Sequence, residues 1–425
     1  MKGRTIRQSS NLWKNIPSFK VDPIQEMQQI FVKDPSPQKV TLIIGAYSGE
    51  DGKPWVLPSV NQAVQKIFSD APLPSSYLPM EGDPEFTKEA IKILYGFDRA
   101  SQTFKTNVNL NKIARVQTLS GTGAVRTAFL TVQKFYKHFD GKIWTPNASW
   151  PLHEGITKDM GLETAKYHYY DLENRKFDTP RYLDSLRSIP QNAFVIIHSS
   201  GHNPTGYDIS PEDWEQVAKI AKERNFLVLM DTAYQGFVSG NLDDDVQGIH
   251  KMIKHGVPII ASQSFSKNMG LYGQRAGCLS VICEDEKTAA EMNDFFKFHN
   301  RFSYSCPPRF GSDIAKTILQ NDDLYAQWQK DIMTMATNIK NRRLALQKIL
   351  MENECPGDWN YITQQKGMFA FTQLQKDQCK ALREKHSVYV VENGRLCISG
   401  INPGNVEYVG NAITDIMKSS YSAAC

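Results

Sequence analysis

Short apolar runs alternate with amphipathic stretches between about residues 115 and 283. Runs that are apolar at every position are typical of strands buried on both faces of a sheet. Stretches whose apolar residues recur every three to four positions are typical of helices that pack against such a sheet. The alternation therefore predicts a parallel α/β sheet. The strand candidates are Arg115–Leu119, Ala193–Ile197, Phe226–Met230, Val257–Ala261 and Cys278–Ile282.

The clearest helix start lies between the second and third of these strands. Ser210 is a good N-cap, and Pro211 suits the first helical turn. The acidic Glu212 and Asp213 complement the positive end of the helix dipole. The apolar residues that follow lie on one helical face: Trp214, Val217, Ala218 and Ala221. Another helix is predicted over Ala124–Phe139.

The C-terminal part has a different pattern. A charged helical stretch runs from about residue 322 to residue 351, and a final helix is predicted from about 406 to 418. Between them, Asn393-Gly394 separates the β-rich runs Val388–Val391 and Arg395–Ser399. Because Asn-Gly between two such runs favours a tight turn, we expect a hairpin there.

The length of the chain favours two domains. At 425 residues it exceeds the ~100–200 residues that are usual for one domain. We assign residues 55–334 to a large domain and residues 335–425 to a smaller α/β domain. Residues 1–54 are interpreted as an N-terminal arm followed by the first segment of the small domain.

Composition argues against several classes of function. The formal net charge is only +4, and no basic block is interleaved with aromatic residues, so a nucleic-acid partner is not expected. The apolar runs fall far short of the ~20 residues that span a bilayer, so no membrane is expected. The 7 cysteines are scattered and form no CxxC pair. This pattern argues against a zinc site or a disulfide framework and favours a reducing compartment.

The first twenty residues contain five basic residues and no acid. This bias is similar to that of a mitochondrial transit peptide. We favour the alternative of an extended arm, whose apolar cluster at Leu12 and Trp13 could dock on a neighbouring subunit. A cytoplasmic location is therefore expected, with the mitochondrion as the alternative.

Lys267 is the first candidate for chemistry. It follows two serines, Ser264 and Ser266, and precedes a glycine-containing stretch that ends at Arg275. A lysine amine can bind an aldehyde covalently, while Ser264 and Arg275 can hydrogen-bond and neutralise a phosphate. The combination suggests pyridoxal 5′-phosphate as the cofactor. Most lysines are solvated surface charges, so the interpretation depends on matching residues elsewhere.

Asp231 ends a predicted buried strand. A carboxylate there could pair with the ring nitrogen of the cofactor and keep it protonated. Tyr234 could donate to the cofactor's phenolic oxygen and lower the pKa of the lysine–cofactor imine. The alternatives are a helix cap or structural ion pair for Asp231 and simple packing for Tyr234.

Asn203 lies in His202-Asn-Pro-Thr-Gly206, directly after another predicted strand. Asn-Pro and Thr-Gly favour a tight turn, which would direct the Asn203 amide into the site. His198 and His202 are not spaced with other ligands as in a metal site, so we predict no metal.

Ser120, Gly121 and Thr122 join a predicted strand to a helix. The N-terminal N–H groups of a helix can bind a phosphate. The segment is neither a P-loop nor a GxGxxG motif, and a plain helix start is the alternative. Trp150 could stack on the cofactor ring, although a buried core tryptophan is the commoner case.

Arg301 and Arg395 could each hold a carboxylate in a bidentate pair. Two such arginines in one site would select a dicarboxylate substrate. A surface ion pair is the alternative for either arginine alone.

Taken in order, these fragments resemble the class I aminotransferases, specifically the aspartate aminotransferase branch of the fold-type I pyridoxal-phosphate enzymes. The resemblance covers nearly the whole chain. The further fragments that carry it are Gly45–Tyr47, Lys53–Ser59, Tyr77–Pro79, Tyr304–Pro308, Gly367–Phe369 and Gly394-Arg395. It implies a large domain with a mostly parallel seven-stranded sheet flanked by helices, a smaller α/β domain, and a homodimer with shared active sites.

The resemblance also implies roles for matching positions. Lys267 resembles the Schiff-base lysine that moves the proton, and Asp231 and Tyr234 complete the catalytic group. The other cofactor-binding positions are Ser120, Gly121, Thr122, Trp150, His153, His198, Asn203, Ser264, Arg275 and, from the other subunit, Tyr77. The substrate-binding positions are Gly45, Trp150, Asn203, Phe369, Arg395 for the α-carboxylate and, from the other subunit, Arg301 for the distal carboxylate.

The implied reaction is amino transfer from L-aspartate to 2-oxoglutarate. The chain departs from the family pattern at Cys306, where asparagine is common, which loosens the substrate assignment. An aromatic amino acid aminotransferase on the same scaffold is the alternative. A non-catalytic metabolite-binding protein is a third possibility, but it would be favoured by loss of Lys267 or Asp231, and both are present.

Overall fold

The computed structural model describes residues 16–17, 22–70 and 75–422 of the chain. The predictions for the first fifteen residues, including the apolar cluster at Leu12 and Trp13, lie outside the described residues.

Helices and strands follow each other along the described chain. In order they are α1 (Pro23–Lys33), β1 (Val40–Thr41), α2 (Pro58–Asp70), α3 (Pro84–Leu94), β2 (Phe97–Asp98), β3 (Thr103–Phe104), β4 (Ile113–Leu119), α4 (Ser120–Phe135), β5 (Lys142–Pro146), α5 (Pro151–Asp159), β6 (Glu163–Tyr167), β7 (Tyr170–Asp171), β8 (Lys176–Phe177), α6 (Thr179–Ser188), β9 (Phe194–His198), α7 (Pro211–Glu223), β10 (Leu227–Thr232), α8 (Gln247–Lys254), β11 (Ile259–Ser264), β12 (Ala276–Ile282), α9 (Glu286–Ser303), α10 (Phe310–Gln320), α11 (Asp322–Glu352), α12 (Tyr361–Gln364), β13 (Phe369–Phe371), α13 (Lys376–His386), β14 (Val388–Tyr389), β15 (Arg395–Cys397) and α14 (Val406–Ser422).

The predicted mostly parallel, seven-stranded sheet is confirmed. Its strand order is β4-β12-β11-β10-β9-β5-β6. Within it, β12 runs antiparallel to both of its neighbours, β11 and β4, and the other pairings are parallel. The chain can reverse direction between β11 and β12 because residues 265–275, which join them, form a loop and not a crossover helix.

Both faces of the sheet are buried, as the continuous apolar runs predict. Val195, Ile197 and Val228 point into one hydrophobic cluster. Their neighbours Ile196 and Leu229 point into a second cluster, beneath α4 and α9. Because successive side chains of a strand alternate between faces, each strand needs apolar residues at every position.

The predicted helix start at Ser210 is confirmed, since its side chain accepts from the N–H of Asp213. Two boundaries differ from the predictions. Asp231 lies inside β10, not beyond its end, and α4 begins at Ser120, directly after β4. Asp231 and Ser120 therefore lie at the carboxyl edge of the sheet without an intervening loop.

The predicted hairpin around Asn393-Gly394 is wrong. The turn forms, with Gly394 N–H donating to the Val391 carbonyl at 2.9 Å. However, β14 pairs in parallel with β1, while β15 pairs antiparallel with β13. The two strands diverge after the turn because each finds a partner that is distant in sequence.

The helix α11 has 31 residues and packs against α2 and α10 at one end and α14 at the other. The predicted domain boundary between residues 334 and 335 lies within this helix, and the division into domains stays a prediction. Among the helices of the described residues, none is both long and apolar enough to cross a membrane.

Candidate active site

A cavity of about 510 Å³, partly open to solvent, lies at the carboxyl edge of the sheet. Residues that follow or end β4, β9, β10 and β11 converge there, because parallel strands finish at the same edge. The predicted residues that line it are Ser120, Gly121, Thr122, Trp150, His198, Asn203, Asp231, Tyr234, Ser264, Lys267 and Arg275. Positions separated by up to 155 residues in sequence are thus brought together around one space.

Asp231 is held by a buried hydrogen-bonding chain. Its Oδ1 accepts from Ser262 Oγ at 2.9 Å, and its Oδ2 lies 3.1 Å from His153 Nε2. The other ring nitrogen of His153 is 2.8 Å from Ser149 Oγ. Burial alone would raise the pKa of Asp231, but the hydrogen bond from His153, the histidine charges and the Ser262 hydroxyl outweigh it and lower that pKa. The carboxylate therefore stays ionised and faces the cavity.

His198 lies beside the hydrogen-bonded series of Ser149, His153 and Asp231, with its Nε2 3.4 Å from Ser149 Oγ. Burial, with a smaller contribution from the charge of His153, lowers the pKa of His198 to about 4, although Asp231 opposes the shift. The ligand atoms of His153, His198 and Asp231 lie within 4.8 Å of one another, which a metal ion would also require. Both ring nitrogens of His153 already have hydrogen-bond partners, so the arrangement is better explained as a support for Asp231.

Lys267 lies in the loop between β11 and β12, and its amine faces the ring of Tyr234 at 5.5 Å from the centroid. Burial, aided by the charge of Arg275, lowers the pKa of Lys267 to about 8. A neutral amine is thus accessible near physiological pH. Such an amine can attack a carbonyl or accept a proton.

Three hydroxyls and a guanidinium surround one end of the cavity. Ser120 Oγ lies 2.9 Å from Ser264 Oγ and 2.7 Å from Ser266 Oγ. Arg275 approaches Ser266 Oγ with Nη1 at 3.4 Å and anchors on the Tyr272 carbonyl at 2.9 Å. Ser120, Gly121 and Thr122 begin α4 and line the same cavity, so this end of it has the donors and the charge that a phosphate requires.

Backbone geometry keeps this cluster tight. Ser120 has φ of 59°, in the left-handed region, as it turns from β4 into α4. On the adjacent strand, a Cβ added to Gly277 would meet the backbone of Ser120 at 2.6 Å. A Cβ on Gly121 would be 3.2 Å from the Cβ of Ser264. The glycines therefore permit the close approach of α4 to both β11 and β12.

Arg395 adjoins the cavity through Asn203. Its Nη1 donates to Asn203 Oδ1 at 3.3 Å, its Nη2 donates to the Ile43 carbonyl at 2.7 Å, and its guanidinium lies 4.4 Å from the Phe369 ring centroid. The side chain is buried, and its Nε has no partner among the described residues. Gly45 fits closely here, because a Cβ would meet the Phe369 ring at 2.8 Å. An unpaired N–H on a buried guanidinium favours an anionic ligand.

Two aromatic residues complete the walls. Trp150 lines the cavity, with its ring 5.3 Å from that of His153 at 89°. Tyr234 packs edge-on against Phe369 at 5.9 Å. Burial raises the pKa of Tyr234, although Arg395 and a hydrogen bond with Asn203 oppose the shift. Tyr234 is therefore a neutral hydroxyl that can donate a hydrogen bond.

Tyr77 and Arg301 are not brought to this cavity in the chain. Tyr77 is 89% exposed. Arg301 is also exposed, near the end of α9, and donates to Ser305 Oγ at 3.0 Å. Their predicted roles at a site formed with another subunit stay predictions.

The sequence reasoning missed Ser149, Ser262 and Ser266 as site residues. Ser266 had a signal, because it lies one residue before Lys267. Ser262 also had one, since the parallel register sets it opposite Asp231. Ser149 is recognisable only once α5 brings His153 against β10.

The hydroxyl, guanidinium, amine and carboxylate groups of this site fit pyridoxal 5′-phosphate. The Ser120, Ser264, Ser266 and Arg275 cluster offers a phosphate site, with Gly121 leaving room for it. Lys267 and Asp231 line the same cavity, one with an amine and the other with an ionised carboxylate. A phosphorylated aldehyde with a basic ring nitrogen is complementary to this set.

Comparison with known proteins agrees with this geometry. The family described as aminotransferase class I and II matches residues 37–413. The chain is 35% identical to cytoplasmic aspartate aminotransferase of Schizosaccharomyces pombe over 408 residues, which are 95% of this chain and 98% of that protein. It is 37% identical to mitochondrial aspartate aminotransferase of Arabidopsis thaliana over 415 residues, covering 98% and 94% of the two chains.

Solved structures give the same result. Aspartate aminotransferase from Saccharomyces cerevisiae cytoplasm superimposes with a TM-score of 0.91 at 35% identity, covering 96% of this chain and 99% of that one. An aromatic-amino-acid aminotransferase from Burkholderia pseudomallei, covalently bound to pyridoxal phosphate, has a TM-score of 0.88 at 30% identity, with coverages of 96% and 100%.

Proposed function

Because this chain belongs to the class I and II aminotransferase family, we propose that it is an aspartate aminotransferase. The reaction transfers the amino group of L-aspartate to 2-oxoglutarate and gives oxaloacetate and L-glutamate. The observation that carries the proposal is the buried Arg395, whose Nη1 donates to Asn203 in the wall of the cavity that Lys267 and Asp231 share.

The cofactor is pyridoxal 5′-phosphate, which when bound supplies an aldehyde that reacts with amines and a ring that accepts an electron pair. Ser120, Ser264, Ser266 and Arg275 would hold its phosphate. Asp231, kept ionised by His153 and Ser262, would pair with the ring nitrogen and keep it protonated.

The remaining residues of the site bind and orient. Arg395 would bind the α-carboxylate of the amino acid through its guanidinium, whose Nε has no partner among the described residues. Asn203 and Tyr234 would donate to the phenolic oxygen, and Trp150 would cover one face of the ring. Gly45 and Phe369 shape the space around Arg395, so a substrate carboxylate reaches it in one orientation.

Lys267 would move the proton. Its amine, with a pKa of about 8, can accept a proton from the α-carbon of the substrate and would deliver it to the carbon that carried the cofactor's aldehyde oxygen. The same amine is the group that binds the cofactor between turnovers. Both tasks need an amine that is not permanently protonated, and burial provides this.

We further propose a homodimer in which Tyr77 and Arg301 complete the site of the other subunit. Both are exposed and lie apart from the cavity of their own chain. Arg301 would then bind the distal carboxylate of a dicarboxylate substrate. The protein is proposed to be cytoplasmic, in line with its relative in S. pombe; the mitochondrial relative in A. thaliana supports the alternative.

Steady-state kinetics with 2-oxoglutarate as acceptor would test the substrate. We expect kcat/KM for L-aspartate to exceed that for L-phenylalanine, and Arg301→Asp to reduce kcat/KM for aspartate by at least about 100-fold, because the attraction to the distal carboxylate is replaced by a repulsion. The variant should also shift preference towards cationic amino acids. An unchanged aspartate rate would contradict the role of Arg301.

The alternative is an aromatic amino acid aminotransferase, favoured by the similarity to the B. pseudomallei enzyme. If it is correct, phenylalanine will be the better substrate and Arg301→Asp will leave its kcat/KM unchanged.

A further inference from the structure

A second cavity, of about 890 Å³ and partly open to solvent, lies between α11, the turn after β10 and the segment that leads into β13. It shares no lining residue with the cavity around Lys267. Its apolar wall includes Phe237, Ile339 and Leu344. Its cationic groups are Lys340, Arg343 and Lys366, of which only Arg343 is buried.

Arg343 is 3% exposed, yet it forms no ion pair among the described residues. Its Nη1 donates to the Ile362 carbonyl at 3.0 Å, and its Nη2 donates to the carbonyls of Lys366, Gly367 and Phe369. Its Nε has no partner in the described part of the chain. Burial lowers the pKa of Arg343 to about 9. A buried cation with one free donor is costly unless an anion compensates for it.

The nearby acids do not supply that anion. Asp208 forms no ion pair with Arg343 or Lys366 among the described residues, and its carboxylate accepts from the N–H groups of Gly201 and His202 at 2.9 Å each. Asp245 is occupied by the N–H groups of residues 236, 238 and 239, which form the turn beside the cavity. Lys340 and Lys366 form no ion pair with any described residue. The cavity therefore has an excess of positive charge beside an apolar wall.

We propose that this cavity binds a small organic carboxylate with an apolar body. Its head would accept from the exposed amines of Lys340 and Lys366, with the buried charge of Arg343 in the same wall, and its body would pack on Phe237, Ile339 and Leu344. A carboxylate fits because its two oxygens can accept from the two flexible amines at once, while the buried guanidinium adds positive charge nearby. The apolar wall excludes strongly hydrated inorganic anions as preferred ligands.

Isothermal titration calorimetry tests this site. The protein loaded with pyridoxal phosphate would first be saturated with succinate, so that Arg395 is occupied, and then titrated with 4-phenylbutyrate. We expect saturable binding of one molecule per chain. The uncharged 4-phenylbutanamide should bind at least about tenfold more weakly, because it lacks the anionic head.

The double variant Lys340→Glu/Lys366→Glu should weaken 4-phenylbutyrate binding by at least about tenfold, since the charge at the mouth is reversed. Both lysines are exposed, so the fold should be retained. Lys348→Glu, an exposed position further along α11 that does not line the cavity, is the matched control and should bind as the wild type does.

Absence of saturable binding to the wild type, equal affinity of the double variant, or equal affinity for the amide would each overturn the proposal. The assay involves no turnover, so its result is independent of whether aspartate is the substrate.

Discussion

The residue that connects the fold to the chemistry is Asp231. It lies inside a buried strand, where an isolated carboxylate would be protonated, yet His153 and Ser262 keep it ionised. His153 is in turn oriented by Ser149. The protein thus uses two shells of hydrogen bonds to present one negative charge to the cavity.

We predict that Asp231→Asn reduces kcat/KM on the order of 100–1000-fold, because a fixed charge opposite the reacting group is removed. His153→Phe should have a smaller effect, since the carboxylate remains but loses one support. Steady-state kinetics on both variants, loaded with cofactor to equal extent, would measure this. A larger loss in His153→Phe than in Asp231→Asn would show that the histidine acts directly.

The lowered pKa of Lys267 predicts how the rate of cofactor attachment depends on pH. Its pKa of about 8 lies below the ordinary value, so the neutral, nucleophilic amine becomes the main form above about pH 8 instead of above about 10.4. Covalent attachment of pyridoxal phosphate to the cofactor-free protein should therefore speed up as pH rises through about 8 and then level off. Borohydride trapping followed by mass spectrometry would measure the rate.

Lys267→Ala, treated identically, is the control for labelling of other lysines and should show no attachment at this position. A rate that still rises steeply above pH 9 would mean that the amine has an ordinary pKa.

At the scale of elements, the site depends on how β12 meets α4. The antiparallel β12 returns beside β4, and its Gly277 contacts the backbone of Ser120, where α4 starts. The start of α4 is also tied to β11 and its following loop, because the Ser120 hydroxyl hydrogen-bonds the hydroxyls of Ser264 and Ser266. The phosphate site is therefore a product of strand and helix packing, not of a single loop.

Gly277→Ala should destabilise the protein by about 1–3 kcal/mol, because the added methyl group clashes with backbone that cannot move freely. It should also weaken binding of pyridoxal phosphate by displacing Ser120. Urea unfolding and a cofactor titration would measure the two effects.

Gly273→Ala is the matched control, since a Cβ there has no atom within 4 Å. It should leave both quantities nearly unchanged. Equal effects of the two substitutions would contradict the packing explanation.

At the scale of the whole molecule, several exposed apolar side chains belong to α9 and to residues 77–80. These segments also carry Arg301 and Tyr77, which each subunit of the proposed dimer would contribute to the site of the other. The α9 patch consists of Tyr77, Met80, Phe298 and Phe302, with Phe302 76% exposed. The rings of Phe298 and Phe302 lie 4.6 Å apart, and Asn300 ties α9 to the Met80 carbonyl. Exposed apolar patches of this kind mark protein–protein interfaces.

We predict that Phe298→Asp/Phe302→Asp converts the proposed dimer to a monomer. The kcat/KM for aspartate should fall as the monomer fraction rises, because Tyr77 and Arg301 can no longer reach the site of a second subunit. Sedimentation velocity and kinetics on the same sample would measure both. Met351→Asp changes an exposed apolar residue at the far end of α11 and should leave the dimer intact. A fully active monomer would refute the shared site.

Local signals were sufficient for much of this protein. The continuous apolar runs identified the central strands, because a strand buried on both faces is apolar over most of its length. Ser210 and Pro211 marked a helix start through short-range hydrogen bonding. Lys267, Asp231 and Arg275 could be named as candidates because each combines a side chain of the right chemistry with a position at a strand end.

Tertiary structure decided the contacts between residues that are far apart in the sequence. The Asn393-Gly394 turn formed, but its flanking strands paired with β1 and β13, because strand pairing is a competition among all available edges. Ser149 joined the Asp231 chain, and Arg343 became a buried cation beside a second cavity, only after helices packed. The sequence alone determined which side chains could perform chemistry; packing decided which of them share a space and how burial shifts their charge.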